Sequence, residues 1–126
     1  MTTLSLELSK ELQSVCKEKH IEMPESYLSY FYQEITESVV RMATHIITLS
    51  EYLAPAYTLD ELLEWLPKHI EQDGRVYEKT LLFSYIQNQY EASYLHGMHL
   101  MVYHYDPNPC DACGKLLIWL IKENLL

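Results

Sequence analysis

The chain has 126 residues, 48% of them hydrophobic, with 18 acidic against 9 basic side chains and a formal net charge of −9. That length fits a single domain, 1–126, with a core of its own, and the composition excludes a disordered chain. The charge disfavours a nucleic-acid partner, and no stretch approaches the ~18 apolar residues of a membrane span. The opening "MTTLSLELSKELQS" has neither the basic start nor the apolar block of a secretory leader, and three cysteines are an odd number, so reduced thiols in the cytoplasm are expected.

In "LSLELSKELQSVCKEK", Leu4, Leu8, Leu12, Val15 and Cys16 recur at helical spacing, with lysines and glutamates opposite. This predicts an amphipathic N-terminal helix of about four turns, stopped before Pro24. "SYLSYFYQ" (26–33) is aromatic-rich and reads as a strand. Between 34 and 53, the β-branched "SVVRMATHIITL" is read as one or two strands. Val39, Met42, Ile46 and Leu49 keep a rough helical spacing, so a helix is the alternative.

A helix is predicted over 58–70. Thr58 stands three residues before Glu61, as in a capping box, and Leu59, Leu62, Leu63, Leu66 and Ile70 form one apolar stripe. Asp60, Glu61 and Glu64 lie near the positive end of its dipole, and Lys68 and His69 near the negative end. Pro67 kinks or thins its last turn. "GRVYEKTLLFSYIQ" (74–87), "NQYEASYL" after a turn at Asn88-Gln89, and "GMHLMVYHY" (97–105) read as an antiparallel meander. The last helix is predicted over 109–124, with Asn108 as N-cap, Pro109 at its first position and Asp111 in its first turn. Ala112, Cys113, Leu116, Leu117, Leu120 and Ile121 share one face. Ile118 points the other way, which implies cover on two sides or contact with a partner. The fold class expected is α+β, an antiparallel sheet packed against three helices.

The blocks "APAYTLDELLEWLPKHI" and "DACGKLLIWLIKENLL", with "LSLELSKELQ" at the start, resemble blocks of small uncharacterised proteins of gut anaerobic bacteria and their phages. The likeness spans the greater part of the chain, with 26–50 matching only loosely. It implies a cytoplasmic protein of bacterial, phage or mobile-element origin and brings no activity or catalytic residue. Its matched positions, among them Pro55, Leu62, Trp65, Pro67, Asp111 and Trp119, are core and capping types, and Cys110 and Cys113 lie outside the pattern.

Four groups of residues carry candidate chemistry. Cys110 and Cys113 form a C-x-x-C at a helix start, where a thiol pKa falls and redox chemistry becomes possible. The plainer reading makes Cys113 a small core residue and Cys110 part of the capping turn. A zinc site needs four ligands, and His96, His99 and His104 lie just upstream, though His99 and His104 have opposite strand parity. Glu61 and Glu64 share a helix face, as an acid–base pair would, or as a solvated face. Six tyrosines, including Tyr77, Tyr85 and Tyr103, fall on the meander. They either pair across strands or form a docking face, to which Ile118 adds a further contact.

No glycine-rich phosphate loop and no G-x-S-x-G elbow is present. The expectation is therefore a non-enzymatic, cofactor-free interaction domain that binds a protein partner or a second copy of itself. The alternative is a zinc- or thiol-dependent protein built on Cys110, Cys113 and the nearby histidines.

Overall fold

The structure, a computed structural model, describes residues 2–45 and 50–126. Its elements run α1 (Leu6–Glu18), β1 (Leu28–Gln33), β2 (Ser38–Ala43), β3 (Glu51–Pro55), α2 (Leu59–Trp65), β4 (His69–Gln72), β5 (Arg75–Ser84), β6 (Gln89–His96), β7 (His99–Asp106) and α3 (Pro109–Lys122). The class is α+β, and the strands divide into two antiparallel sheets. One has the order β2-β1-β3 and the other is the meander β4-β5-β6-β7. The strand reading of 38–43 holds, and β3 follows at 51–55. Ile46 and Leu49, on which the helical alternative drew, lie outside the described residues.

Two boundaries differ from expectation. The helix expected over 58–70 stops at Trp65. The proline ring at 67 disfavours helical backbone in the residue before it, and Leu66 is extended at ψ 127°. His69 and Ile70 therefore start a strand, β4. It turns into β5 through Asp73 and Gly74, both at positive φ (52° and 74°), as a two-residue hairpin of primed type requires. The last carbonyls of α2 are closed from outside: Lys79 Nζ donates to the Leu63 and Leu66 oxygens. The other end of β5 also comes early, at Ser84, and residues 85–88 turn, with Asn88 at φ 54°. The capping box of α2 is present with both of its bonds.

The main core lies between the three helices and the inner face of the meander. Leu12, Leu62, Leu66, Tyr94, Leu116, Leu117 and Leu120 are fully or almost fully buried there. Ile70, Tyr77 and Val102 line the strand side. The three-stranded sheet joins this body through α1: Ser9 Oγ donates to the Pro55 carbonyl, and Tyr30 Oη to that of Leu4.

The N-terminal segment Thr2–Ser5 lies along the first turn of α3. Asn108 caps α3 by accepting the Cys110 N–H at 2.9 Å and donates its own amide to the Thr3 carbonyl at 3.1 Å. Asp111 Oδ1 accepts the Ser5 N–H at 2.7 Å, and Leu4 N–H reaches the Tyr57 carbonyl at 2.8 Å. Gly114 admits the Leu4 side chain, which a Cβ at that position would strike. Replacing Gly114 by Val should overpack this contact and lower unfolding stability by ~1–3 kcal/mol in urea titration. An unchanged midpoint would contradict the packing described.

Candidate functional site

The residues proposed for metal or thiol chemistry do not come together. Cys110 and Cys113 are fully buried in the first turns of α3, and Cys110 Sγ points at the Thr2 carbonyl, 3.5 Å away. Burial pushes the Cys110 thiol up to about 11, helped by the neighbouring Asp111 charge, and pushes Cys113 up to about 12. This is opposite to the activated thiolate that a helix start otherwise favours. Cys16, the third thiol, is buried in α1 and also raised by desolvation.

His96 and His99 face each other at the β6–β7 turn, both exposed, with His96 Nδ1 donating to the Val76 carbonyl at 2.9 Å. Cys110 follows the opposite end of β7. At ~3.3 Å per residue, His99 and Asp106 stand about 23 Å apart along the strand. Among the described residues, no three His, Cys, Asp or Glu side chains gather as a metal group would require.

His104 sits midway along β7, half-buried, on the parity of Val102 and Tyr94. It borders a shallow hollow with Leu8, Ile118, Trp119 and Lys115, and its Nε2 is sealed from water without a partner. Burial lowers its pKa, and the Lys115 charge adds to this. Ile118, expected either under cover or at a partner, is buried at this junction of α1, α3 and β7 and is not a free contact.

Glu61 is occupied. Its Oε1 accepts the Thr58 N–H at 2.9 Å and its Oε2 the Tyr27 N–H at 3.0 Å, so it holds the α2 cap to the start of β1. Glu64 is exposed beside it, on an open hollow with Glu22, Glu25 and Trp65. No acid–base pair is assembled there.

The tyrosines divide by face. Tyr77 is buried, against the docking role expected of it, and Tyr94 sits in the core with its hydroxyl on the Pro67 carbonyl at 2.6 Å. Tyr90 packs inward against Phe83, ring centres 5.1 Å apart. Tyr85 stands out from the β5–β6 turn. Tyr103 and Tyr105 lie on the outer face of the meander, edge to face at 5.4 Å.

The register sets the rest of that outer face. Thr80, Ser93 and Tyr103 form one row, and Leu82, Glu91 and Tyr105 the next. Val76, Leu82, Leu100 and Tyr103 are all exposed on it, Tyr103 by 50%, because the helices lie on the other side. The Ser93 hydroxyl is buried in the middle of the row without a hydrogen-bond partner. The Tyr105 hydroxyl is held above its usual value, first by its hydrogen bond to Glu91. The outer strand positions of β4 to β7 include Glu71, Glu78 and Glu91 and no lysine or arginine.

Sequence reasoning singled out Tyr103 but missed Val76, Leu82 and Leu100. The alternation of Val76, Glu78, Thr80 and Leu82 carried the signal, but it was masked by the apolar run Leu81-Leu82-Phe83. No helix among the described residues is long and apolar enough to cross a membrane. Comparison with protein-family models, with curated proteins and with solved structures gave no match.

Two measurements follow from the buried thiols and from His104. A charged thiol reagent at pH 7 should label none of the three cysteines until the chain is denatured. Rapid labelling of the native protein would contradict their burial. For His104 the folded pKa lies below the ordinary 6.5, so its contribution to stability is present above that value and lost as pH falls through the lowered folded one. His104→Phe should therefore lose less stability than the parent between pH 7.5 and pH 5, measured by denaturant titration at each pH. Equal losses would remove His104 from the acid response.

Proposed function

We propose that the chain is a non-enzymatic protein-interaction domain whose working surface is the outer face of the β4–β7 sheet. The observation that carries this reading is an aromatic and aliphatic sheet face left uncovered while the helices crowd the other side. Tyr and large aliphatic groups that stay exposed together on a sheet are the composition of a docking patch rather than of a solvated surface.

Charge selects the partner. Glu71, Glu78 and Glu91 stand among the apolar groups of this face, and the whole chain stands at −9. A protein surface that sets basic groups among apolar ones complements it, and the carboxylates repel acidic surfaces. No step of this reading requires a cofactor.

The test is salt-dependent capture from a lysate of the source cell, followed by variants. A protein captured through this face is lost, with affinity falling at least about tenfold or ~1.4 kcal/mol, in Tyr103→Lys and in Glu78→Lys. It is retained in Glu7→Lys, a change on the exposed side of α1. Capture insensitive to both face variants would contradict the proposal, as would a complex that strengthens with salt.

A further inference from the structure

The meander has one strand whose edge is only half covered. β4 pairs with Arg75–Glu78 of β5, and Lys79 N–H reaches the Lys68 carbonyl at 3.1 Å. Beyond that point, residues 80–84 of β5 pair with β6 on one side and, among the described residues, with no strand on the other. Lys79 points its backbone groups toward β4. Strand alternation then points those of Leu81 and Phe83 the same way, into the open. Among the described residues, two N–H and two C=O groups are left without a strand partner there.

Other sheet edges carry devices that discourage pairing. β2 has Arg41, β3 is short and holds Glu51 and Pro55, and β7 is bulged at Met101. The open part of β5 has none of these. From Thr80 to Tyr90 no side chain is charged, in a chain that is 21% charged. The same stretch holds Leu82 at 41% exposure, Phe83 at 37%, Tyr85 at 90% and Ile86 at 94%.

We infer that this edge pairs with the same edge of a second copy, giving an isologous dimer with one continuous eight-stranded sheet. Two features select a second copy over another partner. A chain at −9 repels itself, and this neutral stretch is where two copies approach without that cost. The groups left open also match their own mirror across a twofold axis through Leu82. Leu81 of one copy exchanges both backbone bonds with Phe83 of the other, and the reverse, so four hydrogen bonds use all four open groups of each copy. Leu82 then meets its own counterpart in a non-hydrogen-bonded pair. The tips at Tyr85 and Ile86 reach the end of the neighbouring β4 and are covered there. The outer faces of the two copies share one side of the joined sheet. The inference extends the interaction reading above but uses the edge of the sheet instead of its face.

Sedimentation of the full chain over a concentration series tests it. Wild type should sediment at twice the mass of one chain, and Phe83→Pro and Leu82→Lys should each sediment as monomers with unchanged circular dichroism. Phe83→Pro removes an outward N–H together with a ring that lies against Tyr85 and Tyr90, and Leu82→Lys, which keeps that ring, places like charges face to face at an exposed position. Leu82→Cys should cross-link into a dimer under mild oxidation, and Val76→Cys, on the part of β5 that β4 covers, should not. A wild-type monomer at all concentrations, an open-ended series of oligomers, or a dimer unaffected by both edge variants would overturn the inference. The two readings separate cleanly. Tyr103→Lys should stay dimeric, and monomeric Phe83→Pro should still capture a partner bound through the outer face.

Discussion

The seam between Thr2–Ser5 and the first turn of α3 is the contact on which the arrangement of the core depends. It joins the N-terminal segment to α3 by two side-chain hydrogen bonds and a packing contact. Asn108 spends its carbonyl oxygen on its own helix and its amide on Thr3, Asp111 takes the first free N–H of the α1 cap, and Leu4 fills the space that Gly114 leaves. Each is a group that would otherwise be an unsatisfied helix end or a void. α3 lies against β6 and β7, α1 packs on α3 and on β3, and α2 packs on α3. Small residues at 110, 112, 113 and 114 are what let the N-terminal segment approach so closely. The C-x-x-C spacing is therefore a packing solution: two thiols serve as small apolar groups, and their raised pKa values follow from that burial.

Placing every helix on one side of the meander has a consequence for the other side. The inner face is packed against the helices, down to Tyr94 and its hydrogen bond to Pro67. The outer face is left with Val76, Leu82, Leu100 and Tyr103 in the open and a hydroxyl with no partner. The early end of α2 at Pro67 adds a second consequence. It makes β4 a short strand, too short to protect the far half of β5. One proline thus creates both the strand that starts the sheet and the gap beside it. The open backbone lies along the edge of β5 and the exposed Tyr103 on the outer face, neither with a positive charge beside it among the described residues; the dimer rests on the first and the interaction reading on the second.

Much of the fold was legible in the chain because local signals agreed with tertiary ones. Thr58 and Glu61 announced a cap, Asn108-Pro109 a second, and the spacing of Leu12, Val15 and Cys16 a buried helical face, all of which the structure contains; Leu4, expected on that face, instead precedes the helix and packs on Gly114. β4 was missed although its two signals were printed in the sequence: Pro67 ending the helix and Asp73-Gly74 forming a hairpin. The leucine stripe continued to Ile70 and outweighed them, because Ile70 is buried whether it belongs to a helix or a strand. The candidate site was less legible. Tyr77 and Tyr103 look alike in sequence, and only their parity against Tyr94 and Ser93 separates core from surface. Ile118 faced away from the main helix stripe, yet β7 and α1 meet there and bury it, a contact between elements far apart in the chain.

Residue-resolved amide hydrogen exchange tests the central claim, that the edge of the sheet left open beyond β4 is closed by a second copy along β5. The amides of Leu81 and Phe83 should exchange slowly in concentrated solution and become fast on dilution, while those of Leu82 and Ala92, held within the sheet, stay slow throughout. Fast exchange of Leu81 and Phe83 at every concentration would contradict the account.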